Sequence, residues 1–165
     1  MALFRSPPAS QLLMVCMGNI CRSPMAQLVA DQLMQQAGFA KTVRIDSAGT
    51  HAVRGGESPD PRAKKALIAR GYSVGKLRAR QISEADFGRY DLILAMDQAN
   101  LNELRRLCPG EHAHKLRLLL EFADGYNERE VPDPYYGNAQ SFERVLDMVE
   151  AGARGLIEHH RRDWR

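Results

Sequence analysis

The sequence contains few cysteines, little net charge and no long apolar run. Three cysteines among 165 residues, a small and odd number, do not suit the disulfide framework of a secreted domain. We therefore expect a reducing environment and a cytoplasmic protein. A formal net charge of +3 is too small to favour nucleic acid as a partner. No apolar run approaches the roughly 20 residues of a membrane span, so no span is expected.

The length and composition fit one ordinary globular domain. Apolar residues make up 44% of the chain and charged residues 26%, as in globular proteins generally. Residues 1–10 lack the apolar core of a signal peptide and are expected to form a flexible tail. Residues 11–165 are expected to form a single domain that is a monomer or a weak dimer.

Short apolar runs alternate with amphipathic segments along the chain. The apolar runs predict strands at 11–15, 42–46, 91–95 and 115–120. The amphipathic segments predict helices at 23–38, 61–70, 83–88, 97–107 and 139–160. The polar stretches 47–60 and 123–137 are expected to be loops. This alternation is typical of an α/β fold, in which helices cover both faces of a parallel sheet and ligands bind at the carboxyl ends of the strands.

The stretch VCMGNICRSP, residues 15–24, lies where the first strand ends and the first helix begins. A tight turn there directs successive backbone N–H groups into one concavity, together with the N-terminus of the helix, which Ser23 is expected to cap. Such a concavity suits an anion of the size of phosphate. Gly18 lets the backbone come close, and Asn19 can adopt the left-handed conformation that the turn needs.

Cys16 and Arg22 give this turn its chemistry. Arg22 can close the cradle with two parallel donors, and the positive surroundings favour the thiolate of Cys16, a nucleophile for phosphorus. Ser23 can donate its hydroxyl to that thiolate. The spacing alone is equally compatible with a buried core cysteine and a surface arginine at a helix start. The stretch lacks the lysine of a nucleotide-binding loop, and Cys16 and Cys21 lack a second pair of metal ligands.

A candidate proton donor lies in the sequence VPDPYYG, residues 131–137. Cleavage of a phosphate ester requires protonation of the leaving oxygen. Asp133 lies between Pro132 and Pro134, which stiffen the chain around its carboxyl group. A plain turn is the alternative interpretation, because Asp-Pro and Tyr-Gly pairs are common in turns. The two aromatic residues beside a rigid carboxylate favour the active-site interpretation.

The sequence resembles the low-molecular-weight protein tyrosine phosphatase family, and a bacterial source is expected. VCMGNICRSP matches the phosphate-binding loop of that family, and DPYYG matches its general-acid loop. Three further segments also fit, namely DSAGT at 46–50, RARQ at 78–81 and DLILAMD at 91–97. The similarity covers nearly the whole chain, and the two paired motifs in this order are highly specific.

The resemblance implies a role for each residue of the site. Cys16 would carry a cysteinyl-phosphate intermediate, Arg22 would bind the phosphate oxygens, and Asp133 would be general acid and then general base. The phosphate-binding loop would comprise Met17, Gly18, Asn19, Ile20, Cys21, Arg22 and Ser23. The residues that support this loop would be Asn19, Ser23 and Ser47. The residues that line the substrate slot would be Tyr135, Tyr136 and Val53.

The same resemblance implies a fold and a reaction. The fold would be a three-layer structure around a four-stranded parallel sheet, with the phosphate-binding loop after the first strand. The enzyme would hydrolyse phosphotyrosine in proteins, and also aryl phosphates, without a metal or a cofactor. Inorganic phosphate or another oxyanion would be a ligand of the loop.

Two positions depart from the family pattern. Many bacterial relatives carry a histidine in the network that supports the phosphate-binding loop, where this chain has Leu77, so a smaller network is expected. The segment 51–59 is rich in glycine and lacks an aromatic residue. Val53 takes a position that is often bulky in relatives, so one wall of the slot is expected to be low.

Two other functions fit parts of this pattern. A thioredoxin-coupled arsenate reductase shares the cradle and the fold but needs two further cysteines, and only Cys108 follows Cys21. A non-catalytic phosphotyrosine-binding module would not need both a nucleophilic thiol and a general acid. Phosphotyrosine hydrolysis is therefore the predicted function.

Cys21 is a second thiol in the same turn as Cys16. A reactive thiolate is prone to oxidation to sulfenic acid. We expect Cys21 to capture an oxidised Cys16 as a disulfide that thiols can reverse. The alternative is that Cys21 is a small core residue.

Overall fold

The computed structural model describes residues 10–163. Four strands form one sheet, namely β1 (Ser10–Cys16), β2 (Val43–Gly49), β3 (Leu92–Ala95) and β4 (Leu116–Leu118). All neighbouring strands are parallel, in the order β2-β1-β3-β4, which is the predicted four-stranded parallel sheet. The tail expected at 1–10 lies outside the described residues, apart from Ser10, which begins β1.

Helices cover both faces of the sheet, as predicted. They are α1 (Arg22–Gln36), α2 (Pro61–Ala69), α3 (Glu84–Arg89), α4 (Gln98–Leu107) and α5 (Ala139–Asp163). Two 3₁₀ helices, Gly110–Lys115 and Leu119–Phe122, flank β4. Alternate residues of β1 enter two cores, since Met14 packs with α1 and α5 whereas Val15 packs with α3 and α4. In the part of the chain that the structure describes, no helix is long and apolar enough to cross a bilayer.

Two strands differ from the prediction by more than one residue at one end. β2 continues through Ser47 to Gly49, because this segment pairs in parallel register with the end of β1. Ser47 lies opposite Met14, and Gly49 lies opposite Cys16. Ser47 is therefore held on a strand and not in the expected loop. β4 is shorter than predicted, because the chain turns after Leu118 into the second 3₁₀ helix.

The start of α1 also differs from the prediction. Ser23 does not cap this helix, which begins at Arg22 directly after Cys21 and has no side-chain hydrogen bond at its N-cap. The hydroxyl of Ser23 instead lies within hydrogen-bonding distance of the Cys16 sulfur. The backbone N–H groups at this end of the helix thus remain available for an anion.

The order of the strands determines where a ligand can bind. β1 lies between β2 and β3, so the chain leaves β1 toward one side of the sheet and later crosses to the other. The carboxyl ends of β1 and β3 therefore border a crevice at the point where the strand order reverses. Cys16 ends β1, and Asp97 follows β3 at the same edge.

Candidate active site

The loop between β1 and α1 is shaped by Asn19. Its φ of 56° is the only positive φ of a non-glycine residue among those that the structure describes, as the sequence predicts. Gly18 is not crowded, because a Cβ there would meet only Ile20 Cγ1 at 3.7 Å. The glycine that is packed tightly against this loop is Gly49 of β2, where a Cβ would lie 2.6 Å from the carbonyl oxygen of Met17. Sequence reasoning misses Gly49, although it belongs to the matching segment DSAGT.

Cys16 lies at the base of a cleft of about 240 Å³. Its side chain is buried, with 3% of its surface exposed. The backbone N–H of Asn19 donates to Cys16 Sγ at 3.3 Å, and Ser23 Oγ lies 3.0 Å from the same sulfur. The predicted acid and slot residues that line this cleft are Val53, Asp133, Tyr135 and Tyr136. The structure thus brings the two sequence motifs together around one thiol.

Arg22 is buried beside Cys16 and held by two oxygen acceptors. Its Nη1 donates to Asp97 Oδ2 at 2.5 Å and to the Val131 carbonyl oxygen at 3.0 Å. Its Nη2 lies 3.9 Å from Asp133 Oδ2. Burial opposes the charge of Arg22, but the sulfur of Cys16 and the two carboxylates outweigh that effect and raise the pKa of Arg22 above its ordinary value. The alternative of a surface arginine is therefore wrong.

The sequence predicts Asp97 as the first residue of the helix at 97–107. It caps α4, because its Oδ1 accepts from the backbone N–H of Asn100 at 2.7 Å. Its second oxygen accepts from Arg22. One carboxylate thus fixes both the start of a helix and the guanidinium in the cleft. The signal that could have revealed this second role is the position of Asp97, directly after a buried strand at the ligand-binding edge of the sheet.

The side-chain amide of Asn19 connects the loop to its supports. Nδ2 donates to Ser23 Oγ at 2.8 Å and to Ser47 Oγ at 2.9 Å. Oδ1 accepts from the backbone N–H of Arg80 at 3.0 Å. Ser47 in turn donates to Gln27 Oε1 at 2.6 Å. The three residues predicted to support the loop therefore lie in one hydrogen-bond network.

Sequence reasoning misses two members of that network, Gln27 and Arg80. Gln27 resembles any polar residue of an amphipathic helix, and Arg80 acts through a backbone N–H that no side-chain pattern reveals. Among the described residues no histidine joins these hydrogen bonds. Ser47 nevertheless keeps its place between Asn19 and Gln27.

Asp133 lies at the mouth of the cleft. Its side chain is 42% exposed, and its Oδ1 accepts from the backbone N–H of Tyr135 at 3.1 Å. The loop that carries it is tied to the sheet by buried Val131, whose N–H donates to the Met96 carbonyl oxygen at 2.8 Å. The carboxyl group is therefore held beside the cleft while it stays in contact with water.

Tyr135, Tyr136 and Val53 form the rim of the cleft. Tyr136 and Val53 are 95% and 91% exposed, so this side of the cleft is open to solvent. Arg54 Nη2 donates to the hydroxyl of Tyr135 at 3.0 Å, and Arg62 Nη1 donates to its carbonyl oxygen at 2.8 Å. Arg54 also lines the cleft and is not predicted from the sequence.

Cys21 is buried beside the loop, with 4% of its surface exposed. Burial first, and then the negative charges of Asp60, Cys16 and Asp133, raise the pKa of the Cys21 thiol to about 12. Cys21 is therefore mainly a neutral thiol near pH 7. All three cysteines are free, so the predicted disulfide remains a prediction.

The part of the chain that the structure describes contains no group of three or more His, Cys, Asp or Glu side chains placed to hold a metal ion. That the reaction needs no metal or cofactor remains a prediction.

Known proteins share this sequence pattern. The family described as low molecular weight phosphotyrosine protein phosphatase matches residues 11–165. The chain belongs to this family. The low molecular weight protein-tyrosine-phosphatase of Streptomyces coelicolor is 45% identical over 146 residues, which are 87% of this chain and 88% of that protein. The human low molecular weight phosphotyrosine protein phosphatase is 36% identical over 148 residues, which are 89% and 93% of the two chains.

Solved structures of phosphatases have the same fold. A protein tyrosine phosphatase of Entamoeba histolytica, with Hepes in its active site, has a TM-score of 0.91 and 37% identity and covers 94% of this phosphatase and 99% of its own chain. The tyrosine phosphatase Wzb of Escherichia coli K30, in complex with sulphate, has a TM-score of 0.80 and 26% identity over 92% and 99% of the two chains. The predicted family and fold are confirmed. The phosphatase is a protein-tyrosine-phosphatase, a hydrolase whose family reacts through a cysteinyl-phosphate intermediate.

Proposed function

We propose that Cys16 is the nucleophile of this phosphatase, that Arg22 binds the transferred phosphoryl group, and that Asp133 protonates the leaving tyrosine. The proposal rests on one observation, that the thiol, the guanidinium and the carboxylate border the same cleft. The substrates are phosphotyrosine residues of proteins, with aryl phosphates as small analogues. Inorganic phosphate is the product, and the sulphate complex of the E. coli relative supports the binding of a tetrahedral anion.

In the first step the Cys16 sulfur attacks phosphorus, and the bond between phosphorus and the tyrosine oxygen breaks. The departing oxygen takes its proton from Asp133. Backbone N–H groups of the loop that leads into α1 and of the first turn of that helix stabilise the phosphoryl oxygens. Ser23, whose hydroxyl lies 3.0 Å from the sulfur, stabilises the thiolate before the attack.

In the second step water attacks the phosphorus of the cysteinyl-phosphate. The carboxylate of Asp133, which lost its proton in the first step, accepts a proton from that water. The bond between sulfur and phosphorus breaks, phosphate leaves, and the thiolate of Cys16 is restored. The half-exposed position of Asp133 suits both steps, because the group meets the substrate oxygen first and water afterwards.

Arg22 binds the phosphoryl group with the part of its guanidinium that the protein leaves free. Nη1 donates to Asp97 and Val131, whereas among the described residues Nη2 has only Asp133 Oδ2 nearby, at 3.9 Å. Nη2 can therefore direct its N–H groups to phosphoryl oxygens while Nη1 keeps the plane of the guanidinium fixed.

The rim of the cleft recognises the rest of the substrate. Tyr135 and Tyr136 offer aromatic faces for the phosphotyrosine ring. Val53, on the facing loop, is small and exposed, which leaves room for the protein chain that carries the phosphotyrosine.

Four broader expectations belong to the same proposal. The phosphatase is cytoplasmic, because its chemistry depends on a reduced thiol. It acts as a monomer or a weak dimer, and residues 11–165 form one domain, since all four strands join a single sheet. Nucleic acid is not a partner, because the net charge is only +3.

Hydrolysis of p-nitrophenyl phosphate in the presence of EDTA tests the proposal. We expect turnover by the wild type and by Cys108→Ser, a control on a cysteine outside the cleft, and no turnover by Cys16→Ser. Cys16→Ser should still bind vanadate, because serine is nearly isosteric but stays protonated. Turnover by Cys16→Ser within about tenfold of the wild type would rule out Cys16 as nucleophile. A wild type that binds phosphotyrosine peptides without hydrolysing them would indicate a binding module.

A further inference from the structure

A continuous chain of hydrogen bonds leads from the middle of α1 to the sulfur of Cys16. Its members are Gln27, Ser47, Asn19, Ser23 and Cys16. Ser47 Oγ lies 2.6 Å from Gln27 Oε1, and Asn19 Nδ2 lies 2.9 Å from Ser47 Oγ and 2.8 Å from Ser23 Oγ. Ser23 Oγ lies 3.0 Å from Cys16 Sγ. Gln27 is the end of the chain that lies farthest from the sulfur along this path.

The direction of this chain is fixed at the Gln27 end. Gln27 Nε2 donates to the backbone carbonyl oxygen of Ile45 at 3.3 Å. The opposite orientation of the amide would place Oε1 against that carbonyl, where two acceptors repel each other. Oε1 therefore faces Ser47 and accepts the hydroxyl proton of Ser47.

The donor and the acceptor of each further hydrogen bond in the chain follow from the bond before it. Because the proton of Ser47 is bound to Gln27, its oxygen accepts from Asn19 Nδ2. The amide of Asn19 is held in the same sense by Arg80, whose N–H donates to Oδ1 at 3.0 Å. Nδ2 then also donates to Ser23, so the oxygen of Ser23 is an acceptor and its own proton remains free.

The proton of Ser23 has two possible acceptors. Cys16 Sγ lies at 3.0 Å and the Ala48 carbonyl oxygen at 3.4 Å. The Cys16 thiolate is the stronger and nearer acceptor, so it receives the Ser23 proton as long as Asn19 presents Nδ2, a donor, to Ser23. A reversed Asn19 amide would present Oδ1 to Ser23 and draw its proton away from the sulfur.

We propose that Gln27 is a positioning residue of the phosphatase, which acts through Ser47 and Asn19 to direct the Ser23 hydroxyl at Cys16. Gln27 is 9% exposed and does not line the cleft, so it does not touch the substrate. The inference rests on the proposed role of Cys16 as nucleophile. Through these hydrogen bonds Gln27 helps to stabilise the thiolate form of Cys16.

The members of the chain other than Cys16 are uncharged, which makes the inference testable by pH dependence. The charged and titratable side chains around Cys16 come from the α1 start, the loop after β2, the end of β3 and the loop before α5. They are Cys21, Arg22, His51, Arg54, Asp97 and Asp133. Replacing Gln27 by a neutral residue leaves all of these charges in place, so a changed pH profile reports hydrogen bonding.

The test is the pH dependence of Cys16 alkylation by iodoacetate, measured for wild type, Gln27→Met and Gln35→Met. Met matches Gln in length but accepts no strong hydrogen bond. In Gln27→Met the midpoint of the alkylation profile should move upward by about half a pH unit, a part of what one charge-assisted hydrogen bond can supply. Gln35→Met is the matched control, because the Gln35 side chain lies on the same helix, is exposed, and donates to Asp31 Oδ2 at 2.9 Å, away from the cleft. Thermal unfolding shows whether each variant is folded.

Coupling between the positions gives a second readout. Ser47→Ala removes the next hydroxyl in the chain, so adding Gln27→Met to it should shift the midpoint no further. Unchanged midpoints in Gln27→Met, or shifts that add fully in the double variant, would overturn the inference. A variant with a lowered melting temperature and a wild-type midpoint would show that Gln27 is only structural.

The wild type itself provides a test that needs no folded variant. The side-chain amide NMR signals of Gln27 should titrate with the same midpoint as alkylation, and those of Gln35 should not. Gln27 signals that ignore the ionisation of Cys16 would also overturn the inference. Alkylation and NMR do not require turnover, so a failure of the proposed function would appear separately, as absent hydrolysis.

Discussion

Asp97→Asn probes the contact that holds Arg22 in the cleft. Asp97 uses both oxygens, since Oδ1 accepts from the Asn100 N–H at 2.7 Å and Oδ2 accepts from Arg22 Nη1 at 2.5 Å. Asparagine fits the same space and is an equally good helix cap, but it has one oxygen. In either orientation its NH₂ group faces one of the two donors. The variant must therefore lose a hydrogen bond either at the helix cap or at Arg22.

The expected size of the effect follows from that loss. A hydrogen bond to a charged group contributes about 1.5–3 kcal/mol, and a loss of about 1.5–2 kcal/mol is expected because the Asp97 side chain is 22% exposed. If the lost hydrogen bond is the one that orients Arg22 in the transition state, kcat/KM drops by about ten- to thirtyfold. For a chain of this length, the same loss lowers the melting temperature by about 3–8 °C.

The assay is kcat/KM for phosphotyrosine, together with inhibition by phosphate and thermal unfolding. Asp91→Asn is the matched control, because Asp91 lies at the opposite end of β3, where its side chain accepts from the Gln11 N–H at 2.7 Å and does not border the cleft. It should keep the activity of the wild type. If Asp97 only neutralised Arg22, Asp97→Asn would bind phosphate more tightly and turn over at least as fast. That result would refute the positioning argument.

Three further predictions concern separate parts of the molecule. Asp133→Asn should lower kcat/KM for phosphotyrosine by about 10²–10⁴-fold and much less for p-nitrophenyl phosphate, whose leaving group needs no proton; equal losses would mean that Asp133 only shapes its loop. Cys21→Ser, treated with peroxide and then dithiothreitol, should recover less activity than the wild type, because no disulfide shields Cys16 from further oxidation; equal recovery would contradict this role. Gly155→Ala should lower the melting temperature by about 4 °C or more, because its Cβ would collide with the Phe122 carbonyl oxygen, whereas Gly88→Ala, with its nearest contact at 3.8 Å, should not.

The phosphate-binding loop and the acid loop could be predicted because their chemistry is carried by side chains within short segments. Cys16, Arg22 and Asp133 stand in spacings that place a thiol, a guanidinium and a carboxyl group on loops, and the structure brings them to one cleft. Asn19 could be predicted because few other residues tolerate its φ of 56°. For such residues, local sequence and local structure carry the same information.

The supports of the site could not be predicted because they depend on which segments become neighbours. Ser47 reads as a loop residue, and only its register opposite Met14 makes it part of β2. Gly49 is required by the Met17 carbonyl, which lies far away in sequence. Arg80 contributes a backbone N–H, and any residue except proline could donate it.

The buried Arg22 and the half-exposed Asp133 are linked through one backbone connection. Arg22 Nη1 donates to Asp97 and to the Val131 carbonyl, and these two bonds fix the orientation of the guanidinium. The N–H of Val131 in turn donates to the carbonyl of Met96, which directly follows β3. The chain continues from Val131 to Asp133. The segment that follows β3 therefore holds both the guanidinium, through Asp97, and the acid loop, through the carbonyl of Met96. A shift of the acid loop should then disturb phosphoryl binding and proton transfer together. Transition-state binding and proton transfer thus depend on one backbone connection, although their side chains lie far apart in the sequence.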